Sequence, residues 1–138
     1  MSKPITPAGL DHVVLRTGRL REMIRFYEYM VGCSVERTVD TLGLYQLRAG
    51  ASLIDLVDAD GELGKRGGPP PGEKGRNMDH FCLRIDPWDE AAIRKHLEEH
   101  GVEAPETADR YGADGTGPSI YVRDPDGNTV EFKGPPNP

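Results

Sequence analysis

Met78-Asp-His-Phe-Cys-Leu-Arg-Ile85 restates an earlier stretch of the same chain, Leu10-Asp-His-Val-Val-Leu-Arg16. Asp, His, Leu and Arg recur in register, as Asp11 and Asp79, His12 and His80, Leu15 and Leu83, Arg16 and Arg84. Both copies alternate in character with a period of two, as a half-buried strand does. Successive side chains of a strand point to opposite faces, so His80, Cys82 and Arg84 share one side and Phe81, Leu83 and Ile85 the other. In the first copy Val13 and Leu15 take the apolar side, with His12, Val14 and Arg16 opposite them. The chain reads as a duplicated module in which each half aims one histidine away from the face that packs on helices.

Working outward from the first copy, Thr17 caps a helix over about residues 19–31. Leu20, Met23, Ile24, Tyr27 and Val31 form its inward stripe, and Gly32 follows where a left-handed terminal residue is wanted. Three short strands are expected next, at about residues 34–39, 43–48 and 52–57, with Ala49-Gly50 turning the last two into a hairpin. Residues 58–77 carry Gly61, Gly64, Gly67, Gly68, Pro69, Pro70, Pro71, Gly72 and Gly75, and their charges cancel. That composition buries too little apolar surface to order itself and reads as a linker.

Outward from the second copy, Asp86 caps and Pro87 opens a helix to about His100, stopped by Gly101. Trp88, Ala92, Ile93 and Leu97 supply its inward face. A strand at about residues 102–104 and an irregular stretch from Pro105 to Gly117 follow, with Gly112–Gly117 read as a flexible flap. Strands at about 119–123 and 129–133 close the module around the turn Asp124-Pro-Asp-Gly-Asn128. The expected class is α+β: two βαβββ modules, about 8–57 and 78–133, forming a curved half-barrel mixed sheet with helices on its outer face. At 138 residues the two halves would share one core in a single domain.

Composition narrows the function. Seventeen Lys and Arg against 23 Asp and Glu give a formal charge of -6 with no basic run, which argues against nucleic acid and anionic membranes. No segment is long and apolar enough to span a bilayer, and Met1-Ser-Lys-Pro4 lacks the apolar stretch of a signal peptide. Two cysteines, Cys33 and Cys82, make neither a metal spacing nor a disulfide scaffold, so a cytoplasmic location is expected.

The modules also end alike. Ile54-Asp-Leu56 closes the first and Val130-Glu-Phe132 the second, each with an acid between two apolar residues on a strand. If the apolar pairs face the helices, Asp55 and Glu131 share the face of His12 and His80. Two imidazoles and one or two carboxylates on a concave sheet suit Zn, Ni, Mn or Fe(II), with coordination positions left open. Ser119, Tyr121 and Arg123 have the parity that looks into the same cavity. His96 and His100 stand one turn apart in a charged helix end and read as solvated; Cys82 reads as a small filler beside His80.

Four stretches together, Asp11-His-Val-Val-Leu15, Arg25-Phe-Tyr-Glu-Tyr-Met-Val-Gly32, Asp79-His-Phe-Cys-Leu83 and Tyr121-Val-Arg-Asp-Pro-Asp-Gly-Asn-Thr-Val-Glu131, resemble the vicinal oxygen chelate superfamily. That group includes glyoxalase I, extradiol dioxygenases, fosfomycin-resistance enzymes and bleomycin-resistance proteins. The resemblance implies a divalent metal on His12, His80 and Glu131, with Asp55 as a fourth ligand, a water-mediated partner or a base. It implies a homodimer with shared sites and a small substrate whose adjacent oxygens chelate the cation, a Lewis acid. It also places Arg16 and Arg76 where glyoxalase I holds glutathione, and Tyr121 where fosfomycin-resistance enzymes touch substrate. The expected activity is a glyoxalase-like lyase or isomerase, with Glu131 or Asp55 as the base. A ring-opening dioxygenase using Fe(II) is the alternative, and a drug-sequestering protein the non-enzymatic one.

Overall fold

The computed structural model describes residues 4–138. Residues 1–3, part of the stretch read above against a signal peptide, lie outside the described residues. Module one runs β1 (His12–Thr17), α1 (Leu20–Arg25), β2 (Ser34–Val39), β3 (Leu44–Ala49) and β4 (Ser52–Asp58). Module two runs β5 (His80–Arg84), α2 (Glu90–Glu99), β6 (Ala108–Gly112), β7 (Gly115–Arg123) and β8 (Thr129–Lys133). Each module makes its own four-stranded mixed sheet, in the orders β1-β4-β3-β2 and β5-β8-β7-β6. The first and last strands pair parallel in both, so Val14 lies opposite Asp55 and Cys82 opposite Glu131. The α+β class and the paired βαβββ plan are thereby observed. No helix is long and apolar enough to cross a membrane among the described residues.

Apolar residues of both halves form one cluster. Leu15, Leu47, Ile54 and Leu56 line the inner face of the first sheet, and Ile120, Val122, Val130 and Phe132 that of the second. Met23, Phe26, Tyr27, Met30 and Leu97 from the helical segments fill the space between. The helix of module one is shorter than its apolar stripe predicts. It opens after Arg25 into a wider π turn, Phe26–Met30, which carries Phe26, Tyr27 and Met30 all into the core. Thr17 is not its cap: the hydroxyl accepts from the Arg19 N–H at 2.9 Å in the turn ahead of the helix, and the N-cap position is held by Arg19, with no side-chain cap bond.

Tyr27 joins the modules. Its buried ring stands edge-on to Phe26 at 5.1 Å and stacks on Phe81 of β5 at 6.4 Å. Its hydroxyl donates to Asp124 Oδ2 at 2.7 Å. Asp124 Oδ1 also accepts the N–H groups of Asp126 and Asn128, which closes the turn before β8. Asn128 Oδ1 accepts from Asn77 Nδ2, and Asn77 in turn brackets the backbone of Arg16, accepting from its N–H and donating to its carbonyl. So Asp124-Pro-Asp-Gly-Asn128 does more than turn the chain. It is a buried polar knot that ties β8, the linker and the open edge of β1.

Four local expectations are corrected. The second helix is capped by Asp89, whose carboxylate accepts the Ala92 N–H at 3.1 Å, and not by Asp86. Trp88 therefore precedes the helix, and with Pro118 it closes over Gly134. No strand forms at residues 102–104, and the supposed flap is instead the tight hairpin of β6 and β7, paired from Ala108 opposite Ser119 to Gly112 opposite Gly115. The linker is ordered by polar contacts. Arg16 donates to the carbonyls of Gly64, Gly68 and Pro69, and a Cβ on Gly67 would stand 2.4 Å from its Nε. Backbone acceptors thus replace the apolar burial this segment lacks.

Candidate functional site

Parity puts His80, Cys82, Ser119, Tyr121 and Glu131 on the face of module two turned away from the core, as the sequence predicts. Glu131 is only 6% exposed and Ser119 fully buried. The Ser119 hydroxyl donates to Glu131 Oε2 at 2.8 Å, while Glu131 Oε1 stands 3.3 Å from His80 Nε2. The other ring nitrogen of His80, Nδ1, meets the carboxylate of Asp79. A carboxylate on Nδ1 fixes the tautomer that leaves the Nε2 lone pair free for a cation. The recurrent Asp-His pair thus has the form of a nitrogen donor with its orienting group.

Module one repeats this. His12 Nδ1 lies 2.8 Å from Asp11 Oδ2. That hydrogen bond first, and the charge of Asp55 second, raise the imidazole above its ordinary value. Asp55 is 4% exposed, but it is engaged sideways, with Gln46 Nε2 at 3.2 and 3.3 Å from its two oxygens. Gln46 Oε1 in turn accepts from Arg37 at 2.9 Å. Each acid is thus approached by a neutral polar side chain that is itself held by an arginine, Arg37 through Gln46 in one half and Arg110 through Ser119 in the other. Arg37, Gln46 and Arg110 were not found from sequence. Their only signal was strand parity next to an acid, which many surface residues share.

The ligand candidates of the two halves do not form one group within the chain, among the described residues. His12 makes no ion pair with Asp55 within 4.0 Å, and no three His, Cys, Asp or Glu side chains lie close enough to hold one ion, among the described residues. The faces carrying the histidines are open instead. His12 and His80 side chains are 46% and 35% exposed, and the apolar Val14 beside His12 is 44% exposed.

Other predicted residues fall elsewhere. Arg16 is spent on the linker carbonyls. Arg76 donates to the Asp126 carbonyl at 3.0 Å, and its guanidinium lies across Gly127, where a Cβ would stand 2.3 Å from Nη1. Both arginines hold loops. Tyr121 faces the edge of the His80 ring at 5.6 Å. Cys82 flanks Glu131, and burial first, then that carboxylate, push its thiol up to about 11, so it is a poor nucleophile. His96 is not solvated: its Nε2 lies 2.9 Å from the Met30 carbonyl and links α2 to module one.

What the residues offer a divalent cation is clear in module two. An imidazole nitrogen with its tautomer fixed and a carboxylate oxygen stand side by side, and both are oriented from behind. His12 presents the same oriented nitrogen on the other sheet. The donor set fits a metal.

Comparison with known proteins agrees with this architecture. Residues 9–132 match the sequence pattern of the Glyoxalase/Bleomycin resistance protein/Dioxygenase superfamily. The chain is 33% identical over 132 residues to the glyoxalase domain-containing protein RDO1 of Mycosarcoma maydis, covering 94% of this chain and 70% of that protein. It is 32% identical to the virulence protein STM3117 of Salmonella typhimurium, covering 89% and 81%. The crystal structure of STM3117 superposes with a TM-score of 0.79 over 95% of this chain and 99% of that one, at 26% identity. An integron cassette protein from Vibrio cholerae gives 0.77 at 28% identity, over 94% and 97%. The doubled βαβββ fold is thus shared with these solved structures, and the chain belongs to the Glyoxalase/Bleomycin resistance protein/Dioxygenase superfamily.

Proposed function

We propose that this chain is a metal-dependent lyase or isomerase of glyoxalase type, its cation held by His12, His80 and Glu131 in a site shared between two chains. The observation that carries this is the 3.3 Å approach of His80 Nε2 to Glu131 Oε1, with Asp79 behind one and Ser119 behind the other. Members of the superfamily generally bind a divalent metal and small-molecule substrates, and are often dimers. A second copy supplies what one chain lacks. Module one of one protomer faces module two of its partner, which covers the open faces and brings the second histidine to the first. Two free cysteines suit a reducing, cytoplasmic setting.

The bound cation, Zn, Ni, Mn or Fe(II), would polarise two adjacent substrate oxygens as a Lewis acid. Asp55 is the base of this reading. Its carboxylate is buried, its Gln46 contacts are long, and lone pairs remain to take a proton from a substrate carbon. Gln46 and Arg37 keep it aimed. One feature favours a second activity: Asp55 tied to Gln46 leaves two histidines and one carboxylate, the ligand set that suits Fe(II) in ring-opening dioxygenases.

The shared site is tested with His12→Ala and His80→Ala. Each alone should lose stoichiometric metal by elemental analysis. Mixed, refolded dimers should recover about a quarter of wild-type loading, because one of the two sites in each two-fold heterodimer is intact. No recovery on mixing refutes the shared site. Ni- or Zn-loaded protein should then turn over a methylglyoxal hemithioacetal; catechol cleavage by the Fe(II) form alone would select the dioxygenase.

A further inference from the structure

Arg110 holds Ser119 with one nitrogen, and the rest of its guanidinium is left without a task by the metal reading. It projects from β6 onto the face of His80 and Glu131. Its guanidinium carbon lies 4.2 Å from the centre of the Tyr121 ring, and Tyr121 is the residue whose ring abuts His80. One nitrogen, Nη1, donates to both the carbonyl and the hydroxyl of Ser119, at 3.1 and 3.0 Å. Among the described residues Nε–H and both N–H groups of Nη2 have no partner, and no carboxylate lies within 4.0 Å of this guanidinium. The Tyr121 hydroxyl is likewise unpartnered among the described residues.

The guanidinium is half-buried and held by the Tyr121 ring and through Nη1, with no carboxylate partner among the described residues. Two other cations of this sheet have partners, while Arg123 at the end of β7 is exposed and unpaired among the described residues. Arg84 pairs with Asp114, and Lys133 Nζ donates to the Gly115 carbonyl. Stacking on an aromatic face fixes the plane of a guanidinium, and its free Nε–Nη2 edge matches a carboxylate in a two-bond fork.

We propose that Arg110, stacked on Tyr121 beside the His80–Glu131 pair, anchors a substrate carboxylate, so that the substrate is an organic acid whose carboxylate lies one aromatic ring away from its chelating oxygens. This rests on the metal site proposed above and adds a substrate class to it. Arg110 binds the acid, the Tyr121 hydroxyl supplies a further donor to it, and the rigid mounting keeps the distance from anchor to metal fixed. An acid of the wrong length is therefore rejected.

The test uses the full chain loaded with Co(II), whose visible absorption reports chelation, with affinities by calorimetry. The probes are 2-oxoglutarate and 2-oxoadipate against 2-oxopentanoate and 2-oxohexanoate, which share the chelating head and end in methyl instead of carboxylate. At least one diacid should bind about tenfold or more tighter than its methyl-ended partner, the scale of a charge-assisted bond. Because Arg110 also holds Ser119 behind Glu131, Co(II) content is measured for every variant; at equal Co(II) loading R110Q should erase that preference, and R110K should restore part of it. Equal affinity of diacids and monoacids in the wild type, or a preference that survives R110Q, overturns the anchor. If the chain takes up no Co(II), the metal reading itself fails; if it takes up Co(II) and none of the four acids alters the spectrum, the anchor is overturned and the metal reading stands.

Discussion

Replacing Tyr27 by Phe removes one oxygen from the centre of the molecule and nothing else. The ring keeps its contacts with Phe26 and Phe81, so no cavity opens and the volume term for core truncation does not enter. What is lost is a buried 2.7 Å bond to Asp124, a carboxylate that also anchors the turn into β8. A bond to a charged group under these conditions contributes about 1.5–3 kcal/mol. For a chain of this length that corresponds to a fall of roughly 5–12 °C in melting temperature.

The effect has a pH signature. Burial raises the Asp124 carboxyl above its ordinary value, and the bonds from Tyr27 and Asn128 pull it back down. Where the folded value is raised, the native state holds the proton more tightly than the unfolded one. Stability from this group then falls as pH rises through the window between the ordinary and the raised value. Without the Tyr27 hydroxyl the charged form is worse held and the window extends upward. The penalty of Tyr27→Phe is therefore greatest at neutral pH. It shrinks to the worth of a neutral bond, about 1 kcal/mol, as pH falls toward the ordinary carboxylate value near 4. Urea unfolding followed by circular dichroism at both pH values, at one protein concentration, measures it; other carboxylates cancel in the difference. A penalty below about 0.5 kcal/mol at neutral pH, or one that does not change with pH, refutes the account of the knot.

Two further outcomes follow from named contacts. Ser119→Ala should lower Zn or Mn affinity about 10–100-fold by calorimetry, because the hydroxyl orients Glu131 from behind, and should also lower the melting temperature of the metal-free protein, since a buried carboxylate loses a donor. Arg16→Ala should leave metal affinity within about twofold of wild type and speed proteolytic cutting between Leu63 and Asn77, since three linker carbonyls lose their donor.

The duplication was legible because it was written in strands. Asp-His with apolar alternation fixes which face each side chain takes, and register then follows from the closing acids, Asp55 and Glu131. Strand β6 was not legible. Ala108-Asp-Arg-Tyr-Gly112 is an edge strand with no apolar alternation, and its pairing partner supplies the pattern it lacks. Arg16 and Arg76 show the opposite failure. The resemblance to glyoxalase I marks both as substrate contacts, yet backbone carbonyls of the linker claim Arg16 and the Asp126 carbonyl claims Arg76. No local pattern announces that, because the acceptors lie 48 to 53 residues away.

The two halves have diverged where chemistry would divide labour between them. Both histidines keep an aspartate on Nδ1, so both remain poised as ligands. The acids differ. Glu131 is a methylene longer, reaches His80 Nε2 and is fixed by a hydroxyl donor, which leaves its Oε1 directed at the histidine. Asp55 is shorter, is drawn to an amide on the next strand and touches no histidine within 4.0 Å among the described residues. A symmetric site needs neither difference. One acid that holds a cation and one that stands back from it is the arrangement a proton-transfer enzyme requires, since a ligated carboxylate is a weak base. Asp55→Glu should then extend the carboxylate past Gln46. If Asp55 is the base, that variant keeps or tightens metal affinity while its turnover falls. If Asp55 is a ligand, affinity and turnover should move together, and the division of roles would be wrong.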